Sequence, residues 1–416
     1  MRRKNCEYHR GHGEHGMRKR STWIPSSIFI ALLVLVGFSQ FSSAQSSDSK
    51  WVGTWAASPM QCGTRHPFAG QTLRQIVHTS IGGSNIRIHL SNLFGTAPLT
   101  IDDVRIALWN ADSSVVNGSE RKILFDRGNS VNIPPAGEAV SDSVRFRLTG
   151  SADVAISMHV IETSGPVTCH QSGFQTNYFA DGDVSGSTSL ANPKTAKSYF
   201  YLTNLDIEDR KARGALVALG ASITDGYNST ADSNLRWPND LAQRLAKAGV
   251  AIGVLNQGIS GNRLLIAGAG DSAEIRFDRD VLAQPGVRWV IFSDDPINDL
   301  GSTKPQPTAE QLIAGLQQLV AQAHSRHVKF LCSTLTPYEG ANYWNASGEA
   351  AREQINSFIR SKDSGCDAVV DQDLATHDPE HPSRYLPAYD SGDHLHPNNA
   401  GLQAIADSVP IENLAR

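Results

Sequence analysis

The sequence lacks a long uninterrupted apolar run. The stretch Ile28 to Phe38 stops short of the ~18 residues that a membrane span needs, so no stable span is expected in the mature chain. It also lacks charge of one sign. With 37 Lys+Arg against 41 Asp+Glu and a formal net charge of -4, there is no basic face for nucleic acid or an anionic membrane, and a small or neutral ligand is the default partner. Helical periodicity is missing from Trp51 to about Leu205, which excludes a helical bundle there. Cysteine is scarce, at five residues. What remains is ordinary globular composition: 416 residues, 40% hydrophobic and 19% charged, with room for about two or three domains.

Arg18, Lys19 and Arg20 precede the apolar run, and Ser42-Ser43-Ala44 supplies small residues before Gln45. This reads as an export leader over residues 1–44, giving a secreted or periplasmic chain that starts near Gln45. The stretch before Met17 is His-rich and carries no signal-like pattern. Cys6 would leave with the leader, and Cys62, Cys169, Cys332 and Cys366 would remain. Four cysteines allow three connectivities, and spacing does not choose among them. Cys62 with Cys169 and Cys332 with Cys366 is the favoured pairing in an oxidising compartment. Buried free thiols are the alternative for the second pair, because Cys332 falls inside an apolar run.

Residues 45–208 read as an all-β sandwich or jelly-roll module. "NIRIHL" (85–90) alternates Ile86, Ile88 and Leu90 with polar partners, and "VRFRL" (144–148) and "ADVAISMHV" (152–160) follow, each bounded by turn residues. Trp51, Trp55 and Trp109 are read as core rather than as a sugar platform. After the charged hinge "DIEDRKAR" (206–213) the texture changes. "ALVALG" (215–220), "AIGVLNQG" (251–258), "WVIFSDD" (289–295), "VKFLCSTL" (328–335) and "AVVDQ" (368–372) are near-continuous apolar runs, the mark of parallel strands covered on both faces. Pro238 suits a first helical turn, and Thr308 to Gln311 forms a capping box. Residues 209–416 therefore read as a doubly wound, flavodoxin-like three-layer αβα domain.

Ligands of such sheets bind beyond the carboxyl ends of the strands. There stand Gly220-Ala221-Ser222, then Asn256 to Asn262, then Pro296-Ile297-Asn298-Asp299, and near the C-terminus Ser391-Gly392-Asp393-His394-Leu395-His396. Together these blocks resemble the SGNH hydrolases, the GDSL-type esterases. The part beginning "WVGTWAASP" (51–59) is similar to the β-module of a secreted branch of that family. The resemblance implies Ser222 as nucleophile, Asp393 and His396 completing a triad, and Ser222, Gly258 and Asn298 as oxyanion donors. It implies no metal and no organic cofactor. It also implies short-chain acyl esters as substrates, acetyl esters of carbohydrates foremost, with arylesterase or lysophospholipase activity as the alternative. The residue types suit that chemistry: a serine hydroxyl needs an imidazole to take its proton, the imidazole needs a carboxylate, and the developing oxyanion needs fixed donors.

Two positions depart from the pattern. Ala221 replaces the family's aspartate, which implies a less firmly held Ser222. Pro296 replaces a glycine, which implies a displaced Asn298. A carbohydrate-binding protein with a decayed catalytic domain is the rival reading. Asp393, His394 and His396 with His377 and His381 also allow a metal cluster, though no further ligand stands on another strand end. The nucleophile elbow of α/β-hydrolases fails, since position 224 is Thr. Arg263 would either contact substrate or brace its loop.

Overall fold

The computed structural model describes residues 51–63, 68–163 and 165–415. The leader, Cys6 and the cleavage site before Gln45 lie outside the described residues. Antiparallel strands run from Trp51 to Glu208 and build a small sheet of three strands, Tyr199–Phe200, Val167–His170 and Met60–Cys62, and two larger curled sheets. In one, Trp51–Ala56, Leu202–Glu208, Gly83–Ser91 and Val144–Leu148 lie side by side. In the other, Asn177–Asp181, Gln71–His78, Asp153–Glu162 and Leu99–Ala111 are adjacent. The alternation in "NIRIHL" has its expected consequence, with Ile86, Ile88 and Leu90 fully buried between the sheets. The tryptophans stand at the rim of this core. Arg87 lies 4.6 Å over the Trp51 ring, Trp55 meets Tyr199 edge-on at 4.8 Å, and Trp109 Nε1 donates to the Asp112 carbonyl at 2.8 Å. Both disulfides form, Cys62 to Cys169 and Cys332 to Cys366.

The second part is a five-stranded parallel sheet flanked by helices. Its strands are Gly214–Gly220, Ile252–Gly258, Val287–Phe292, Lys329–Ser333 and Ala368–Val370, in spatial order second, first, third, fourth, fifth. This order reverses between the first and third strands, which is where such sheets open a crevice for ligand. Three apolar runs overshoot their strands, "VKFLCSTL" ending as a strand at Ser333. "WVIFSDD" ends as a strand at Phe292, and a helix starts at Asp295; "AVVDQ" ends at Val370, and a helix starts at Gln372. The capping box is present: Thr308 Oγ1 accepts from the Gln311 N–H, and Gln311 Oε1 accepts from the Thr308 N–H, opening the helix Ala309–Ser325.

The strand-rich part covers the exposed edge of this sheet. Strand Trp51–Ala56 packs along Ile252–Gly258, and the Val254 N–H donates to Ser80 Oγ at 2.9 Å. An edge strand is thereby closed by side-chain and backbone groups of its neighbour. The approach is close enough to need glycine. A Cβ on Gly253 would stand 2.0 Å from the Gly53 carbonyl oxygen. Gly253→Ala is therefore expected to lower stability by about 1–3 kcal/mol through overpacking. Urea denaturation followed by tryptophan fluorescence checks this, and an unchanged midpoint would refute the tight seam.

Candidate active site

Strand one ends at Gly220, and the chain turns at once into the short helix Ser222–Asp225, closed by Gly226 in the left-handed conformation. The turn is held from the neighbouring third strand. Asp294, just past its end, accepts from the Ala221 N–H at 3.0 Å, the Ile223 N–H at 2.8 Å and the Thr224 hydroxyl at 2.6 Å. Ala221 therefore does not leave Ser222 loose: a carboxylate from another strand does the holding. Pro296 does not displace Asn298 either. It lies in the first turn of helix Asp295–Ser302, where a backbone N–H has no intrahelical acceptor to lose.

Ser222 Oγ lies 2.8 Å from His396 Nε2, and His396 Nδ1 lies 2.7 Å from Asp393 Oδ2. The other Asp393 oxygen accepts from the backbone N–H groups of Leu395 and His396 at 3.0 and 2.8 Å. Partial burial raises the Asp393 carboxyl, but the His396 ring and these two N–H groups outweigh it and hold it at about 2. It is therefore ionised through the neutral range and fixes the His396 tautomer with Nδ1 protonated, leaving Nε2 to accept from Ser222. Asn228 Nδ2 adds a donor to Asp393 Oδ2 at 3.1 Å. His394 belongs elsewhere, with its ring on Asp390.

The donor set differs in one member from the expected one. The Gly258 N–H is engaged at the end of its own strand, donating to Asn256 Oδ1 at 2.9 Å. Its lack of a side chain serves packing, since a Cβ there would lie 2.4 Å from the Asp225 nitrogen. Three residues on, Gly261 takes φ +82°, and its N–H, like that of Ser222, has no hydrogen-bond partner among the described residues. The trace of this donor in the sequence is only the second glycine of Gly258-Ile259-Ser260-Gly261; its positive φ belongs to the structure. The Asn298 amide uses one N–H on the Asn262 carbonyl at 2.9 Å, beside Gly261, and its oxygen accepts from the Tyr343 hydroxyl at 3.0 Å. Burial pushes the Tyr343 phenol well up, so it stays a donor and fixes which side of the amide carries the nitrogen. The other Asn298 N–H has no partner among the described residues. Ser222 N–H, Gly261 N–H and Asn298 Nδ2 are the donors available to an oxyanion.

Beneath these groups lies a charged frame. Arg276 is fully buried and donates from Nε to Asn262 Oδ1 at 3.0 Å, from Nη1 to the Gln257 carbonyl at 2.6 Å and Ser58 Oγ at 3.1 Å, and from Nη2 to the Gly220 carbonyl at 3.0 Å. One guanidinium thus ties the ends of strands one and two, the Asn262 loop and the strand-rich part. Asp295 lies 3.6 Å from it; burial lifts that carboxyl to about 7 against the pull of Arg276, with Asp294 and Asp299 adding to the rise. His170 bonds the Ser58 carbonyl through Nδ1 at 3.1 Å and Asp225 through Nε2 at 3.0 Å. Both partners are acceptors, so the ring holds two protons. Burial opposes that charge, and the Asp225 carboxylate overrides it, raising the ring above its ordinary value. Arg263 braces its loop on Ser302, with Nε 3.2 Å from Oγ.

Asp294→Ala removes all three anchors of the Ser222 turn and is expected to lower kcat about 10²-fold by misplacing the nucleophile. Steady-state kinetics alongside thermal unfolding checks this, and full activity in a folded variant would refute the clamp. Tyr343→Phe frees the Asn298 oxygen and is expected to lower kcat by about 10-fold with KM little changed, since the donor acts mainly in the transition state. A rise confined to KM would contradict that role.

A family model described as the GDSL-like Lipase/Acylhydrolase family matches residues 218–404. No curated protein matches the chain. Among solved structures, the chain is similar to a putative lipolytic protein of the G-D-S-L family from Desulfitobacterium hafniense DCB-2, at 23% identity over 47% of this chain and 97% of that chain with a TM-score of 0.37. It is similar to an acetylxylan esterase from Geobacillus stearothermophilus, at 20% identity over 49% and 95% with a TM-score of 0.38. A GDSL-like lipase from Bacteroides thetaiotaomicron VPI-5482 shares 16% identity over 49% and 89% with a TM-score of 0.39. With a serine, a histidine and a carboxylate in hydrogen-bonded sequence at the crevice of a flavodoxin-like sheet, residues 218–404 belong to the GDSL-like lipase/acylhydrolase family, and the chain is a carboxylic ester hydrolase.

Proposed function

We propose that this protein is an exported serine esterase that hydrolyses short-chain acyl esters, acetyl esters of carbohydrates foremost, through an acyl-enzyme on Ser222. The observation that carries this reading is the unbroken chain from Ser222 Oγ to His396 Nε2 at 2.8 Å and from His396 Nδ1 to Asp393 at 2.7 Å. Ser222 Oγ bonds to the ester carbonyl carbon as its proton passes to His396 Nε2, and the carbonyl electrons move onto oxygen, where Ser222 N–H, Gly261 N–H and Asn298 Nδ2 receive them. Collapse of this intermediate breaks the bond to the alcohol oxygen, which takes the proton from His396. Water then repeats the sequence: its proton goes to His396, its oxygen attacks the acyl carbon, and Ser222 leaves with the proton returned. Asp393 stays ionised throughout and stabilises the imidazolium. The two disulfides support export, since such bonds persist in oxidising compartments. The carbohydrate and short-acyl preference follows the resemblance of the four sequence blocks.

The test is hydrolysis of a chromogenic acetate ester by the mature protein and by Ser222→Ala, with a chelator present. We expect turnover in the first and a fall of about 10⁴-fold or more in kcat in the second. Glycan binding without turnover of any ester would instead favour the decayed, carbohydrate-binding reading, and loss of turnover on chelation would favour a metal-dependent site.

A further inference from the structure

Two aromatic rings beside the reacting groups have no part in the steps above. Tyr227 packs on His396 with ring centroids 4.4 Å apart, yet remains 41% exposed. Phe174 meets Tyr227 edge-on at 6.0 Å. Phe174 belongs to the strand-rich part, on the loop between strands Val167–His170 and Asn177–Asp181. The rings therefore run from that part onto the histidine of the site.

Both are held more firmly than surface rings need to be. The Tyr227 N–H donates to the Ser222 carbonyl at 2.9 Å, and the next residue, Asn228, bonds Ser391 Oγ and Asp393 Oδ2 at 2.8 and 3.1 Å. Phe174 takes φ +46°, a left-handed conformation that a bulky side chain disfavours. Asp232 pins it there. Its N–H donates to the Phe174 carbonyl at 3.0 Å, and its carboxylate accepts from Gln175 Nε2 at 2.9 Å, from the Thr176 N–H and from the Thr176 hydroxyl at 2.8 Å. Strain kept in place by several bonds, on a half-buried ring beside reacting groups, points to use rather than packing.

Proton transfer decides which half of the ester lies against these rings. His396 Nε2 must reach both Ser222 Oγ and the departing alcohol oxygen, whereas the acyl oxygen sits among the Ser222, Gly261 and Asn298 donors. Tyr227, its ring tilted at 43° against that of His396, flanks the alcohol. We propose that Phe174 and Tyr227 form an aromatic platform for a pyranose ring of the alcohol half, so that the strand-rich part supplies one wall of the substrate site. The two rings stand at 85° to each other, so one apolar ring face meets the C–H face of the sugar while the other ring borders its edge, with the polar groups of the cleft beside them. This inference rests on the carbohydrate-ester reading given above.

An acetylated xylooligosaccharide and 4-nitrophenyl acetate form the same acyl-enzyme and differ only in the alcohol. Phe174→Ala is expected to lower kcat/KM on the oligosaccharide by about 10-fold more than on the aryl acetate, the loss a hydrophobic contact commonly gives in discrimination, with Phe174→Tyr restoring the ratio. In parallel, calorimetry with Ser222→Ala should detect binding of the acetylated oligosaccharide that the added Phe174→Ala change weakens by about the same factor. Equal losses on both esters, or oligosaccharide binding indifferent to Phe174, would overturn the platform. A wild-type protein that cleaves neither ester would count against the proposed reaction, while the calorimetry still decides the platform on its own.

Discussion

The Asp294 carboxylate accepts three hydrogen bonds from the turn that carries Ser222, and the rest of the site takes its geometry from that attachment. Asp294 follows the third strand and Ser222 the first, and the sheet places these two side by side because its order reverses there. Once the turn is pinned, the Ser222 N–H has no hydrogen-bond partner among the described residues, and Oγ meets His396. The helix that begins at Asp295 then brings Asn298 to the same crevice. A carboxylate that receives two backbone N–H groups and a hydroxyl offsets the cost of being buried by those bonds.

Around this point, buried charged groups tie together segments that lie far apart in the chain. Arg276 touches the ends of two strands, the loop of Asn262 and Ser58 of the strand-rich part, and His170 connects Ser58 to Asp225 on the Ser222 helix. A buried guanidinium or imidazolium is costly unless its donors are met, so few relative positions of these elements satisfy it. The strand-rich part is thus joined to the site by ionic contacts below and by the Phe174 and Tyr227 rings above. Its packing on the edge strand, through facing glycines at 53 and 253, brings these contacts into reach.

Much of this was readable from residue order. The alternation of Ile86, Ile88 and Leu90, the apolar runs of the parallel strands and the Thr308 capping box depend on near neighbours, and each appears where its pattern stands. Ser222, Asn298, Asp393 and His396 were identifiable because the blocks that hold them, each past a strand or in a turn, resemble in their order those of a known hydrolase family. Gly258 misled for a physical reason: its N–H meets Asn256 two residues back, and its bare Cα meets Asp225 of another element. Neither contact is visible in spacing. The missing aspartate at 221 misled in the same way, since the holding carboxylate comes from a different strand.

The sequence alone determined the local periodicities, the polar blocks at strand ends and the residue types able to move a proton or receive a negative charge, because all of these reside within a few consecutive residues. Tertiary structure decided which carboxylate clamps the nucleophile turn, which glycine keeps a free N–H and which aromatic rings reach His396. Those assignments depend on hydrogen bonds and packing between segments far apart in the chain, and only the order of strands in the sheet brings such segments together.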